Sequence, residues 1–309
     1  MAEELPLIIV NPASAGGKTN RLWPEMASTI RAHFGPFAVA FTRGPGDGER
    51  IAGDEARQGR KFIIACGGDG TISEVANGIL ASGAAAELGI LPCGTGSDFR
   101  RSLNIPARLA DAAQALRTGR RRRIDVGQVR YMTEKGRMEQ RYFVNVASFG
   151  MSSKVIERSK QSSELLGSKL SFAAATVQTA LTFTKPEVWL EVDGHPVRRL
   201  RIANVCVSNG RYFGGGMKIA PDAKLNDGLF DVVAIGDLSR MEILANAYRL
   251  YTGTHLSLEK VGAARSARVK AGCVSDGVTV PIEVDGEVLG QLPASFEILP
   301  TALTVRSPI

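Results

Sequence analysis

The run Phe62 to Cys66 is short, apolar and β-favouring. It passes through Gly67-Gly68-Asp69-Gly70-Thr71 into a segment whose apolar members, Ile72, Val75, Ala76, Ile79 and Leu80, recur at helical spacing. A buried strand, a loop with three glycines and one carboxylate, and a helix therefore follow one another without a break. Glycines lack Cβ and let the backbone approach an oxyanion, while N–H groups at the positive end of a helix dipole form an anion site. Thr71, with Glu74 three residues on, is expected to form a capping box at the start of the helix. Asp69 can hold Mg²⁺ through water or orient a hydroxyl. An ordinary strand-to-helix turn with Asp69 as a local cap accounts for this segment equally well.

Two further loops follow apolar strands. After Leu7 to Val10 comes Asn11-Pro12-Ala13-Ser14-Ala15-Gly16-Gly17-Lys18-Thr19. It ends in Gly-Lys-Thr but fails the P-loop pattern, because Pro12 stands where glycine is required and has no N–H for a phosphate. After Leu88 to Leu91 comes Pro92-Cys93-Gly94-Thr95-Gly96-Ser97-Asp98-Phe99, a partial dinucleotide fingerprint with Phe99 where its last glycine belongs. Parallel strands would bring all three loops to one sheet edge, where they could converge on one polyphosphate.

The order of elements up to about Arg123 alternates: strands at Leu7 to Val10, Phe37 to Phe41, Phe62 to Cys66 and Leu88 to Leu91, and helices near Leu22 to Phe34 and Gly48 to Gln58. This predicts a parallel sheet covered by helices. Beyond it the pattern turns β-rich, with strands expected at Ile124 to Tyr131, Tyr142 to Val146, Val188 to Val192, Ile202 to Val207, Phe230 to Ile235, Val278 to Val284 and Leu303 to Arg306. Asp-Gly turns at Asp193-Gly194 and Asp285-Gly286 fit an antiparallel sandwich or half-barrel. The domains expected are thus 1–123, α/β and nucleotide-binding, and 124–309, a β-sandwich with a helical insert near 152–184. A return of the last strand to the first domain is left open.

With 309 residues, 44% of them hydrophobic, the chain can bury two cores. No apolar run approaches the ~20 residues of a membrane span, and the acidic start does not read as a signal peptide, so a cytoplasmic location is expected. Four scattered cysteines and three histidines without ligand spacing exclude a zinc site, a disulfide framework and a histidine triad. The net charge of +7 and the run Arg120-Arg121-Arg122-Arg123 favour an anionic partner. Nucleic acid is excluded, since no aromatic residues interleave with the basic run, which by itself reads as a solvated face. The loop Gly214 to Asp231 misses EF-hand spacing, although Asp227 with neighbouring carbonyls could hold one Mg²⁺.

Gly67-Gly68-Asp69-Gly70-Thr71, Gly94-Thr95-Gly96-Ser97-Asp98-Phe99, Ile219-Ala220-Pro221 with Asn226-Asp227-Gly228, and Val284-Asp285-Gly286-Glu287 together resemble the diacylglycerol kinase catalytic family, which includes bacterial soluble lipid kinases, sphingosine kinases and ceramide kinases. The resemblance spans almost the whole chain. It implies an N-terminal α/β domain like that of NAD kinases and phosphofructokinases, a C-terminal β-sandwich carrying the lipid site, and catalysis between them. It places ATP on Asn11, Thr42, Gly67, Gly68, Asp69, Gly70, Thr71, Ile72, Ser73, Glu74 and Thr95, with Asp69 organising the catalytic Mg²⁺. A second, structural Mg²⁺ would take the carbonyls of Lys224 and Leu229 and the carboxylate of Asp227. Glu287 is the implied proton acceptor, with Asp285 as its rival. The chain departs from the family at Ser14 to Lys18 and at Ser152-Ser153.

The activity expected is therefore ATP- and Mg²⁺-dependent phosphorylation of a hydroxyl of diacylglycerol or a related lipid. The expected partners are that lipid and an anionic membrane surface at the inner face, met by the helical insert with Lys154, Arg158, Lys160 and Lys169. A homodimer is the one assembly held open. The alternatives are an NAD kinase-like enzyme, which shares the glycine loop, and a non-catalytic lipid- or nucleotide-binding regulator.

Overall fold

The computed structural model describes residues 5–93, 98–166, 168–193 and 195–308, with side chains outside 160–173. The chain divides into two compact units, Met1–Asp125 with Pro300–Ile309, and Val126–Leu299.

In the first unit, β1 (Leu7–Val10), α1 (Lys18–His33), β2 (Ala38–Phe41), α2 (Asp47–Arg57), β3 (Phe62–Gly67), α3 (Asp69–Ser82) and β4 (Glu87–Pro92) alternate, followed by α4 (Asp98–Ser102) and α5 (Leu109–Thr118). β1 and β3 are buried along their whole length, as strands covered on both faces must be, and their runs are apolar throughout. The parallel register sets Val10 beside Cys66 and Cys66 beside Leu91, so the ends of β1, β3 and β4 lie side by side. Packing of α2 on α3 is tight enough that a Cβ on Gly78 would stand 2.2 Å from the Glu49 carbonyl oxygen.

The β-rich unit carries most of β5 (Arg120–Met132), then β6 (Met138–Phe143), β7 (Val146–Gly150), α6 (Met151–Leu166), α7 (Ser168–Thr182), β8 (Glu187–Val192), β9 (Arg198–Arg201), β10 (Asn204–Ser208), β11 (Phe230–Ile235), α8 (Arg240–Thr252), β12 (Val261–Ser266), β13 (Arg268–Cys273), β14 (Pro281–Val284) and β15 (Glu287–Ser307). Its pairings are antiparallel, β12-β11-β10-β7-β14-β15 along one path and β9-β8-β13-β15 along another. One core gathers Phe143, Phe149, Phe230 and Phe296, with the Phe143 and Phe230 rings stacked at 5.5 Å. The opposite face of the sheet holds a second, smaller core around Val146, Cys206, Ile219 and Val233.

β15 serves both units. Its first part pairs with β13 and β14, and beyond Pro300 it joins β4 in parallel, Thr304 beside Glu87 and Val305 beside Leu88.

Three sequence expectations change. The single strand Tyr142 to Val146 is two, because the chain bends at Val144-Asn145 where both amide N–H groups turn to the Asp285 carboxylate. The strand expected from Val278 begins at Pro281. The capping box at Thr71 does not form: the N-cap is Gly68, with no side-chain cap, so the helix starts before Thr71 and leaves it buried in the first turn. The basic run opens β5, where Arg121 meets Glu87 at 2.7 Å and Arg123 donates to the Thr301 carbonyl.

Candidate active site

The three glycine-bearing turns of the first unit are sewn together by hydrogen bonds. Asn11 Nδ2 donates to Thr71 Oγ1 at 3.1 Å, and Asn11 Oδ1 accepts from the Ala13 N–H at 3.0 Å, which holds the first turn against α3. Thr19 Oγ1 donates to the Cys93 carbonyl, and the Cys93 N–H donates to the Gly67 carbonyl, both at 3.3 Å. Asp69 Oδ2 and Oδ1 accept the N–H groups of Asp98 and Phe99 at 3.1 and 3.3 Å, so its carboxylate fixes the start of α4.

Gly67 and Gly68 have different reasons to be glycine. A Cβ on Gly67 would lie 2.3 Å from Thr71 Oγ1, so the tight turn into α3 excludes any side chain there. At Gly68 no described residue comes within 4 Å of a Cβ placed there, and its φ of −91° is open to any residue. That open backbone stands at the N-terminus of a 14-residue helix, where the dipole and first-turn N–H groups favour an anion. Gly70 is half-exposed, while Ile72 and Ser73 are buried within α3. Thr42, buried, donates its N–H to the Val10 carbonyl at 2.9 Å. Glu74 acts at a distance: its carboxylate accepts the Gly46 and Gly48 N–H groups at 2.7 and 2.9 Å and so caps α2 rather than its own helix. Thr95 lies outside the described residues.

In the second unit the β14–β15 hairpin turns through Asp285 (φ 48°) and Gly286 (φ 92°), both left-handed as a type I′ turn requires. Asp285 is 7% exposed, and its carboxylate accepts three backbone N–H groups, Val144 at 3.0 Å, Asn145 at 3.0 Å and Val146 at 3.1 Å. The Glu287 side chain is 36% exposed and has Arg141 at 3.9 Å. Asp285 is thus held as a clamp of the Val144–Val146 bend, whereas the Glu287 carboxylate is partly exposed.

Sequence reading passed over Glu283 and Arg141. Glu283 is buried, accepts from Ser148 Oγ and takes the Gly286 N–H at 2.7 Å, while Ser148 and Ser152 hydroxyls meet at 2.7 Å. Period-2 alternation from Glu283 to Asp285 signalled a shared face. Nothing local signalled Arg141.

Asp227 lies in the loop before β11. Its Oδ1 accepts the Leu229 N–H at 3.3 Å, and its Oδ2 is ion-paired with Arg265. Lys224 is exposed and Leu229 half-buried. Nearby Asp231 Oδ2 is buried without a hydrogen-bond partner. Burial pushes the Asp231 carboxyl above its usual range; Arg265 opposes this, and Asp227 and Asp222 add to it. Acidic oxygens of Asp227, Asp222 and Asp231, the last without a hydrogen-bond partner among the described residues, are the kind of donor that a hard cation accepts. Among the described residues no group of three or more histidines, cysteines and acids is arranged as metal ligands, so a cation here would draw on backbone carbonyls.

Residues 6–129 match the diacylglycerol kinase catalytic domain, and residues 145–307 match the YegS C-terminal NAD kinase beta sandwich-like domain. The chain belongs to the diacylglycerol kinase family. A diacylglycerol kinase of Bacillus subtilis (strain 168) is 30% identical over 253 residues, 81% of this chain and 79% of the relative. One from Staphylococcus carnosus (strain TM300) is 28% identical over 302 residues, 97% and 94% of the two chains. Among solved structures, a diacylglycerol kinase from Bacillus anthracis str. Sterne superposes with a TM-score of 0.72 at 22% identity, covering 99% of this chain and 98% of that one. Yeast NADH kinase shares the fold more distantly, with a TM-score of 0.51 at 9% identity over 100% of this chain and 85% of that one. The α/β unit and the β-sandwich-like unit are those of this family.

Proposed function

We propose that the protein is an ATP- and Mg²⁺-dependent lipid kinase that phosphorylates a hydroxyl of diacylglycerol or a related lipid. The observation that carries this reading is the hydrogen-bonded cluster of three turns at one sheet edge, with Gly68 left open at the N-terminus of α3. ATP supplies the phosphoryl group, and magnesium neutralises charge as the group is transferred. On the protein's side, the Gly67–Thr71 turn and Asn11 would bind phosphate oxygens, and Asp69, which holds the start of α4, would hold the catalytic magnesium. Thr42, Ile72, Ser73, Glu74 and Thr95 complete the nucleotide contacts. Asp227, with the Lys224 and Leu229 carbonyls, would hold a structural magnesium.

Glu287 accepts the proton of the lipid hydroxyl as its oxygen attacks phosphorus and ADP departs. Asp285 does not take that role, since three backbone N–H groups occupy its carboxylate. The reading extends to a peripheral enzyme of the inner membrane face. Met241, Ala245 and Tyr248 form one exposed stripe of α8, and Val177 and Leu181 are exposed on α7. The acids nearby are ion-paired, Glu242 with Lys260 and Asp237 with Lys185, which lowers their repulsion of anionic headgroups.

Radiolabelled ATP offered with a panel of lipids in mixed micelles tests the reading, with NAD as a parallel acceptor. Label in diacylglycerol or a near relative, dependent on Mg²⁺, is the expected result. Label in NAD alone, or in no acceptor by protein that binds ATP, overturns it.

A further inference from the structure

The four cysteines are not equivalent. Cys206 is fully buried on β10 and accepts a hydrogen bond from Asn204 Nδ2 at 3.2 Å, and Cys273 ends β13. Cys66 and Cys93 are 27 positions apart in sequence but adjacent in the sheet. Cys66 pairs with Leu91 and Gly67 with Pro92, which sets Cys93 diagonally across from Cys66 on the neighbouring strand. Their Sγ atoms stand 2.7 Å apart, against about 2.05 Å in a disulfide. Cys93 lies two positions beyond Leu91, the partner of Cys66, so by the period of two both side chains share one face of the sheet, where their sulfurs meet. The two thiols sit at the roots of two of the three turns described above, one residue before Gly67 and one before Gly94.

We infer that Cys66 and Cys93 are an oxidative modification site, closed to a reversible disulfide by hydroperoxides. This inference stands on the β3–β4 geometry and is independent of the lipid kinase reading. Cys93 is half-exposed, whereas Cys66 is completely buried. The hydrogen bond to Cys93, then burial, holds the Cys66 thiol well above its usual range, so Cys66 keeps its proton and oxidation starts at Cys93. The Cys93 sulfur attacks one peroxide oxygen, the O–O bond breaks, and Cys93 becomes a sulfenic acid with release of water, or of an alcohol from an alkyl hydroperoxide. Cys66 Sγ then attacks Cys93 Sγ. The S–S bond forms, the S–O bond breaks, and the hydroxide leaves with the Cys66 proton as water. Two sulfurs have given one electron each to the peroxide, and a dithiol returns them.

The experiment treats the full chain with hydrogen peroxide, blocks remaining thiols under denaturing conditions, and maps unreduced peptides by mass spectrometry. The expected result is a Cys66–Cys93 cross-linked peptide, a fall from four alkylatable thiols to two, and recovery of four after dithiothreitol. A Cys93→Ser variant, altered at a half-exposed position, should keep its three thiols through the same treatment. Four thiols surviving, a cross-link involving Cys206 or Cys273, or Cys93 passing to sulfinic acid with Cys66 still free would each overturn the inference.

Discussion

Replacing Asp285 by alanine should destabilise the C-terminal unit strongly, whatever it does to the chemistry. The Asp285 carboxylate takes three backbone N–H groups in a buried bend, and alanine leaves all three without an acceptor. Hydrogen bonds to charged groups are worth about 1.5 to 3 kcal/mol each, so three give about 4 to 9 kcal/mol. Alanine at the left-handed φ of 48° adds about 1 kcal/mol. Some of the freed N–H groups will find water as the bend opens, so the expected loss is about 4 kcal/mol, a large part of the 5 to 15 kcal/mol that holds a typical domain. Trp189 on β8 reports on this unit, and in a Trp23→Phe background it is the single indole. Urea unfolding followed by its fluorescence gives the stability directly. Glu287→Gln is the matched comparison: at a 36% exposed side chain it should shift stability by less than about 0.5 kcal/mol, while turnover of the lipid falls by about 10² to 10⁴. An Asp285→Ala protein as stable as the parent would refute the clamp. A Glu287→Gln enzyme with unchanged turnover would refute the assignment of the base.

Gly68→Ala should fold normally but weaken nucleotide binding, while Gly67→Ala should lower the thermal midpoint, because only the second meets Thr71; calorimetry and nucleotide titration separate the two. Glu74→Ala leaves the Gly46 and Gly48 N–H groups uncapped and should cost about 2 kcal/mol in thermal or urea unfolding, although Glu74 lies outside the helix it caps. The raised carboxyl of Asp231 contributes stability below its ordinary value of 3.8, and that contribution is lost as pH rises through the folded-state value. Asp231→Asn should therefore flatten the pH dependence of unfolding in magnesium-free buffer, and an unchanged profile would count against burial as the cause. Met241→Ser with Tyr248→Ser should reduce sedimentation with anionic vesicles at unchanged circular dichroism; equal binding would remove α8 from the membrane contact.

How much could be read from the residues depended on the range of each interaction. β1, β3 and the Leu88 to Leu91 part of β4 were legible because strands buried on both faces are apolar without interruption, and each leads into a loop that contains glycine. The helices α6 and α7 showed through their spacing. The two-residue turn at Asp285-Gly286 was legible, but its carboxylate's partners lie about 140 positions upstream, and no local pattern announces them. Glu74 read as half of a capping box because it stands three residues after a threonine; the real start of α3 at Asp69 gave it to another helix. The cysteines looked scattered because spacing along the chain says nothing about neighbours across parallel strands. α5 escaped because Arg108 at its N-cap gives no side-chain cap, and α8 because its cap does not open an obvious apolar run. α8 has a complete Ser239–Glu242 capping box but no buried residue.

The order in which the chain leaves the ribosome bears on β15. The amino-terminal unit is translated first, yet the strand that lies beside β4 comes from Thr304 and Val305, and Arg306 reaches Glu87 at 2.7 Å. Until residues 304 to 306 emerge, β4 lacks its β15 neighbour, so the first unit waits, unfinished, while the whole second unit is made. A fragment stopped at Leu299 would keep that edge open permanently and would be prone to pair with the wrong partner.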